Sequence, residues 1–161
     1  MKNAPTPDLK VVTKPILSET KGWFEKAVPN PGTKNFTTQL GVHVEEFYEM
    51  LIELTPQDDP TREALADAIV AVKHLATHLK ANGGVHVEPN QQVPFLDALC
   101  DQLVTATGVA HMSNFDPLGA LNEVNRSNFS KFDDQGNPIF DENMKVTKGP
   151  NYSPADLTPF V

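Results

Sequence analysis

Two acidic clusters on otherwise apolar stretches carry the chemical content of this chain: Glu45-Glu46-Phe47-Tyr48-Glu49, and Asp97-Ala98-Leu99-Cys100-Asp101. In each cluster carboxylates stand about one helical turn apart, so on a helix they share a face. With histidine counted as neutral, Asp97 and Asp101 are the sole charges between Val93 and Met112. An unpaired carboxylate taken out of water costs several kcal/mol, on the order of a domain's net stability. If the apolar helices are enclosed, these acids need a cation. All-oxygen ligands select a hard ion, Mg2+ or in its place Mn2+, and Mg2+ held by a few carboxylates usually serves a phosphorylated substrate.

Glu46 and Glu49 project from one helix face, and Asp97 and Asp101 from another. Two such helices packed together surround one cavity with four acids. Glu45, Glu46, Glu49 and Glu53 equally describe a solvated face; the second cluster, on a helix with little other polar content, tips the balance. The stretch Asn122 to Lys131 gathers Arg126, Lys131, Ser127, Ser130 and several asparagines in an acidic protein, and such groups hold phosphate oxygens by charge-assisted hydrogen bonds. A helix end favoured by its C-terminal cations explains that spacing equally well. His74 and His78, at i and i+4, lack a matching acid or cysteine and read as partly exposed surface. Glu63 and Asp67, accompanied by Arg62 and Lys73, read as a solvated helix face, and Trp23-Phe24 as a packing anchor.

The elements that must position these groups follow from apolar spacing. Leu40, Val44, Phe47, Leu51 and Leu54 mark a helix over Asn35 to Thr55, stopped by Pro56. Asp59 as N-cap and Pro60 begin a second helix that Asn82-Gly83-Gly84 ends. Pro94 fits the first turn of a third, running to about His111, apolar on most sides and so suited to the centre of a bundle. A fourth covers Asp116 to Ser127. The fold expected is an all-α bundle completed by oligomerisation to a dimer or tetramer, because helices apolar on most faces need more partners than four short helices in one chain provide. Prolines divide the 161 residues into an extended N-terminal arm (1–34), a helical core (35–132) and an irregular C-terminal tail (133–161) with at most a small hairpin between Ile139 and Val146. Within the first of these, the apolar stretch around Trp23-Phe24 reads as arm or short helix packed on the core.

The net charge of −8 argues against binding nucleic acid or an anionic membrane nonspecifically. Cys100, the single cysteine, provides no disulfide framework and fits a reducing compartment. Met1 to Lys10 lacks a signal-peptide core, and no run approaches the roughly 20 apolar residues of a membrane span. A cytoplasmic location is expected, the host cytoplasm for a viral chain.

Taken in order, Thr38-Gln39, the cluster at Glu45 to Glu49, Leu96-Asp97-Ala98-Leu99-Cys100-Asp101 and Asn125-Arg126-Ser127-Asn128-Phe129-Ser130-Lys131 resemble the MazG-like all-α nucleoside triphosphate pyrophosphohydrolases. That superfamily also holds phosphoribosyl-ATP pyrophosphohydrolase and the dimeric dUTPases. The last stretch, with Gly136-Asn137-Pro138-Ile139-Phe140 and Lys148-Gly149-Pro150-Asn151-Tyr152, is similar to its small bacterial and phage members. The resemblance spans residues 35 to 157. The family pattern, Glu-Glu-x-x-Glu on one helix and Glu-x-x-Asp on another, carries onto Glu45, Glu46, Glu49 and Asp97. Its remaining Glu falls at Pro94, while Asp101 keeps a carboxylate one turn after Asp97; the two motifs also lie further apart than is usual in the family.

The resemblance implies Mg2+-dependent hydrolysis of a (deoxy)nucleoside triphosphate to a monophosphate and pyrophosphate, in a bundle completed by a second subunit. It assigns the metal to Glu46, Glu49, Asp97 and Asp101, and the handling of the attacking water to Glu45. Arg126, Asn128, Lys131 and Lys148 would meet phosphate oxygens, and Gln39 the nucleotide. The alternative keeps the fold without the chemistry: a catalytically inactive nucleotide-binding or assembly protein in which Pro94 marks a lost ligand. Cleavage of phosphoribosyl-ATP ranks below both, because the Arg126 to Lys131 segment is similar to the small bacterial and phage branch.

Overall fold

Residues 16–141 and 145–161 are described by a computed structural model. Among them are five α-helices: α1 (Ile16–Ala27), α2 (Thr33–Ile52), α3 (Asp59–Asn82), α4 (Gln92–Met112) and α5 (Pro117–Phe129). Two 3-10 turns, Pro89–Gln91 and Thr158–Phe160, and one isolated antiparallel bridge, Phe140 with Val146, accompany them. The all-α expectation therefore holds for the described residues. Residues 1–15 of the expected arm and the tip of the expected hairpin, 142–144, lie outside them. Much of what remains of that arm is helical, as α1. No helix among the described residues is long and apolar enough to cross a membrane.

Local signals set the helix ends. Asn35 Oδ1 accepts from the Gly32 N–H at 3.0 Å, opening α2 just after Pro31. The Asp58 carboxylate, one residue before the expected cap, accepts from the Thr61 N–H at 2.7 Å and starts α3; a cap must reach the third amide of the helix, which Asp58 does. Gly83, at φ +68°, ends α3 in a conformation that side chains resist. Asp116 caps α5 by accepting from the Leu118 and Gly119 amides, with Pro117 next.

The chain forms two compact units. One is built on Val28–Gly108 together with the Phe140 and Val146 bridge. Here α2 and α3 make an antiparallel hairpin whose seam buries Thr37, Gly41, Ala76 and Leu79. A Cβ on Gly41 would lie 2.6 Å from Lys80 Cγ and 2.9 Å from Lys80 N. Glycine inside a helix costs about 1 kcal/mol relative to alanine; at Gly41 its lack of a side chain lets the two backbones approach.

Helix α4 lies beside α2. The rings of Phe36 and Phe95 meet edge to face at 6.3 Å, and His43 Nε2 meets Gln102 Oε1. Both partners advance by seven residues between these contacts, so α2 and α4 run parallel. The central position expected for α4 is not found in the single chain: none of its residues is buried, and Val93, Leu96, Leu103, Val104 and Val109 are exposed.

The other unit holds α1, the end of α4 from Val109, α5 and the C-terminal segment. Trp23 is the anchor expected from sequence. Its indole stacks on Phe132 at 5.8 Å and meets Phe24 edge-on, and its N–H donates to the Asn128 carbonyl at 2.9 Å. Asn125, 2% exposed, accepts from the Thr20 hydroxyl at 2.9 Å and donates to the Ile16 carbonyl. The tail returns along α5: the Ser153 N–H donates to Ser130 Oγ at 2.9 Å, and the Asp116 N–H to the Phe160 carbonyl at 2.9 Å. Buried polar groups need such partners, so one set of polar side chains both fills and fastens this unit.

Candidate functional site

Helix α2 presents its three motif acids differently. Glu45 turns into the seam with α3, where Lys80 Nζ lies 2.5 Å from its Oε1 and both side chains are roughly 70% covered, 28% of Lys80 and 30% of Glu45 being exposed. Glu46 and Glu49 are exposed, as are Asp97 and Asp101 on α4. The enclosure that the apolar sequence of α4 led us to expect for Asp97 and Asp101 is therefore absent from the single chain, because nothing among the described residues covers that helix. Exposed apolar side chains share these helices with the four acids: Phe47 and Met50 on α2, Leu96 and Val104 on α4.

The register of α2 and α4 decides how far these acids converge. With Phe36 beside Phe95 and His43 beside Gln102, Asp101 stands level with Val42 and Asp97 level with Thr38. At about 1.5 Å rise per residue, Asp97 is offset along the axis from Glu49 by about 16 Å, and Asp101 from Glu46 by about 6 Å. A Mg2+ ion holds its oxygens at about 2.1 Å. Accordingly, no three His, Cys, Asp or Glu side chains among the described residues form a group that could hold a metal ion. The four acids have the donor chemistry that Mg2+ requires, and one chain does not bring them together. Gln39 is exposed on the first half of α2, and Pro94 sits in the first turn of α4.

The basic candidates belong to the other unit, where each has an internal partner. Arg126 donates from Nε and from Nη2 to the two oxygens of Glu123, both at 2.7 Å, and again from Nη2 to the Pro154 carbonyl at 2.9 Å. The Arg126 hydrogen bonds, helped by the Asp156 N–H, hold the Glu123 carboxyl at about 2 against an ordinary 4.5. Lys131 Nζ donates to Asn128 Oδ1 at 2.7 Å. Lys148 Nζ lies over the Tyr152 ring, 4.5 Å from its centroid. Of these residues, expected to meet phosphate, Arg126 ties the tail to α5 through the Pro154 carbonyl, while Lys131 and Lys148 meet side chains three and four residues away in sequence.

Sequence reasoning missed two partners. Lys80 carries no motif and is found only once α3 lies on α2. Glu123 was legible as an acid three residues before Arg126, a spacing that pairs on a helix. His74 and His78 are exposed, with ring centroids 6.4 Å apart, and His78 meets Asn82. Comparisons with protein-family models, with curated proteins and with solved structures find no match to this chain.

Proposed function

We propose that the chain is the subunit of a Mg2+-dependent hydrolase that adds water across the α–β anhydride of a (deoxy)nucleoside triphosphate, giving a monophosphate and pyrophosphate. One observation supports this reading: two carboxylate pairs, Glu46 with Glu49 and Asp97 with Asp101, stand exposed on helices whose apolar side chains Phe47, Met50, Leu96 and Val104 are exposed among the described residues. Uncovered apolar surface of this kind marks an interaction site. A second copy laid against α2 and α4 would enclose the acids, and enclosed acids need a cation. A homo-oligomer, dimer or tetramer, is thus part of the proposal, and it supplies the convergence that one chain lacks. Glu45, which the resemblance assigns to the attacking water and which is ion-paired with Lys80, would orient that water or take its proton. Arg126, Asn128, Lys131 and Lys148 would exchange their internal partners for phosphate oxygens, and Gln39 would contact the nucleotide.

The second reading, a nucleotide-binding or assembly protein without turnover, is favoured by Pro94, which brings no carboxylate to the first turn of α4. Pyrophosphate release from a panel of canonical and modified (d)NTPs, with Mg2+, Mn2+ or chelator, separates the two. The expected result is metal-dependent release that Glu49→Gln and Asp97→Asn each abolish, with helical content unchanged. Full activity in both variants would overturn the ligand assignment. Silence of the folded protein across the panel would overturn the hydrolase and leave the binding protein.

A further inference from the structure

Helix α3 turns Ala76 and Leu79 into the seam with α2. At 3.6 residues per turn its opposite side carries Glu63, Asp67, Val70, Ala71, His74 and His78, all exposed, Val70 at 70%. This stripe is symmetric in position and complementary in chemistry. His74 and Asp67 stand about 5 Å to either side of the midpoint between Val70 and Ala71, and His78 and Glu63 about 11 Å. The histidine rings have centroids 6.4 Å apart. Asn82 Nδ2 lies 3.3 Å from His78 Nδ1, and the other ring nitrogens of the pair have no hydrogen-bond partner among the described residues. Glu63 and Asp67 form no salt bridge among those residues: Arg62 turns to Asp59, and Lys73 to Tyr48.

We infer that this stripe binds a second copy of the chain, antiparallel about a two-fold axis at that midpoint, with a Zn2+-like transition-metal ion at each end. Such a contact uses the same patch on both copies. Turning one copy end for end sets Val70 against the partner's Ala71, and brings the partner's Asp67 and Glu63 over His74 and His78. Each ion then has two imidazole nitrogens from one copy and two carboxylates from the other, the four ligands of a tetrahedral site with bonds of about 2.0–2.2 Å. One copy alone falls short, because Asp67 lies about 10 Å along the axis from His74, in accord with the absence of any three-ligand group among the described residues. Imidazole favours zinc, nickel or copper over Mg2+. A metal also answers the charge: at −8 per chain two copies repel each other, and each dication balances the two carboxylates it joins. None of these residues is assigned to the hydrolase, so the inference does not rest on that reading.

The test is the mass of the full chain by sizing chromatography with light scattering, first in chelator and then with Zn2+ alone. Zinc should at least double the mass. His74→Ala combined with His78→Ala should remove that response, and so should Glu63→Gln combined with Asp67→Asn, with helical content unchanged because all four side chains are exposed. Mixed in equal amounts, the two double variants should respond to zinc again, since a pair made of one of each holds one complete site. That rescue separates a shared site from a histidine pair that binds zinc within one chain. A wild type whose mass zinc leaves unchanged, a response that survives in either double variant, or a mixture that stays silent would each overturn the assignment.

Discussion

Lys80 reaches Glu45 across the α2–α3 seam, its stem lying over Gly41 and its Nζ 2.5 Å from the carboxylate. The residue proposed to handle water is thereby held by a cation from the neighbouring helix, and a catalytic candidate is also part of the packing. Partial burial makes such a pair worth more than an exposed one, and makes either half costly alone.

Lys80→Met should therefore lower stability by about 1–2 kcal/mol, with Glu45 left partly buried and unpaired. Adding Glu45→Gln should recover part of that loss. Urea unfolding of the wild type, the two single variants and the double variant gives the coupling, expected at about 1 kcal/mol. Additive effects would mean that the pair contributes nothing beyond its separate halves.

Gly41→Ala tests the close approach directly. On an exposed helix the change would stabilise by about 1 kcal/mol. Here the new Cβ would lie 2.9 Å from Lys80 N and 3.0 Å from the Ala76 carbonyl, so α3 must move, and a net loss of about 1–3 kcal/mol is expected. The sign of the change in the urea midpoint decides.

Acid should loosen the tail. The Glu123 carboxyl is held at about 2 against an ordinary 4.5, first by Arg126 and then by the Asp156 N–H. A folded value below the unfolded one means that this contribution is complete above about 4.5 and fades as pH falls toward about 2. Protection of the Asp156 amide, taken against its intrinsic exchange rate at each pH, should fall across that window. In Glu123→Gln the acid-dependent step should be missing.

Assembly should depend on the uncovered face of α4, where Val104 is 69% exposed in the single chain. Sizing chromatography with light scattering should find the wild type as a dimer or tetramer and Val104→Asp as a monomer, since a charge enclosed without a partner costs several kcal/mol. Pyrophosphate release should fall with the assembly. A wild-type monomer at micromolar concentration would sink the oligomer and the composite acid site together.

Helices α2 to α5 were legible because their signals are local, whereas α1 lies in the segment read as an arm. Pro31 and Gly32 precede α2, Pro60 and Pro117 stand in the first turns of α3 and α5, and Gly83 follows α3. The cap of α3, expected at Asp59, is Asp58, one residue earlier, as its hydrogen bond from the Thr61 N–H shows. The motif acids were equally legible as types at helical spacing. Which of them faces what was not: Glu45 against Lys80, and Arg126 against Glu123 and Pro154, depend on where α3 and the tail come to lie.

By itself, the sequence determined the all-α class of the described residues, the helices that carry the acids, and an α4 apolar on most sides. The tertiary structure decided that α4 runs parallel to α2 with Asp97 and Glu49 far apart along the axis, and that its apolar face stays uncovered. Spacing within a helix follows from 3.6 residues per turn. Register between helices follows from side-chain contacts such as Phe36 with Phe95 and His43 with Gln102, which neither acidic motif encodes.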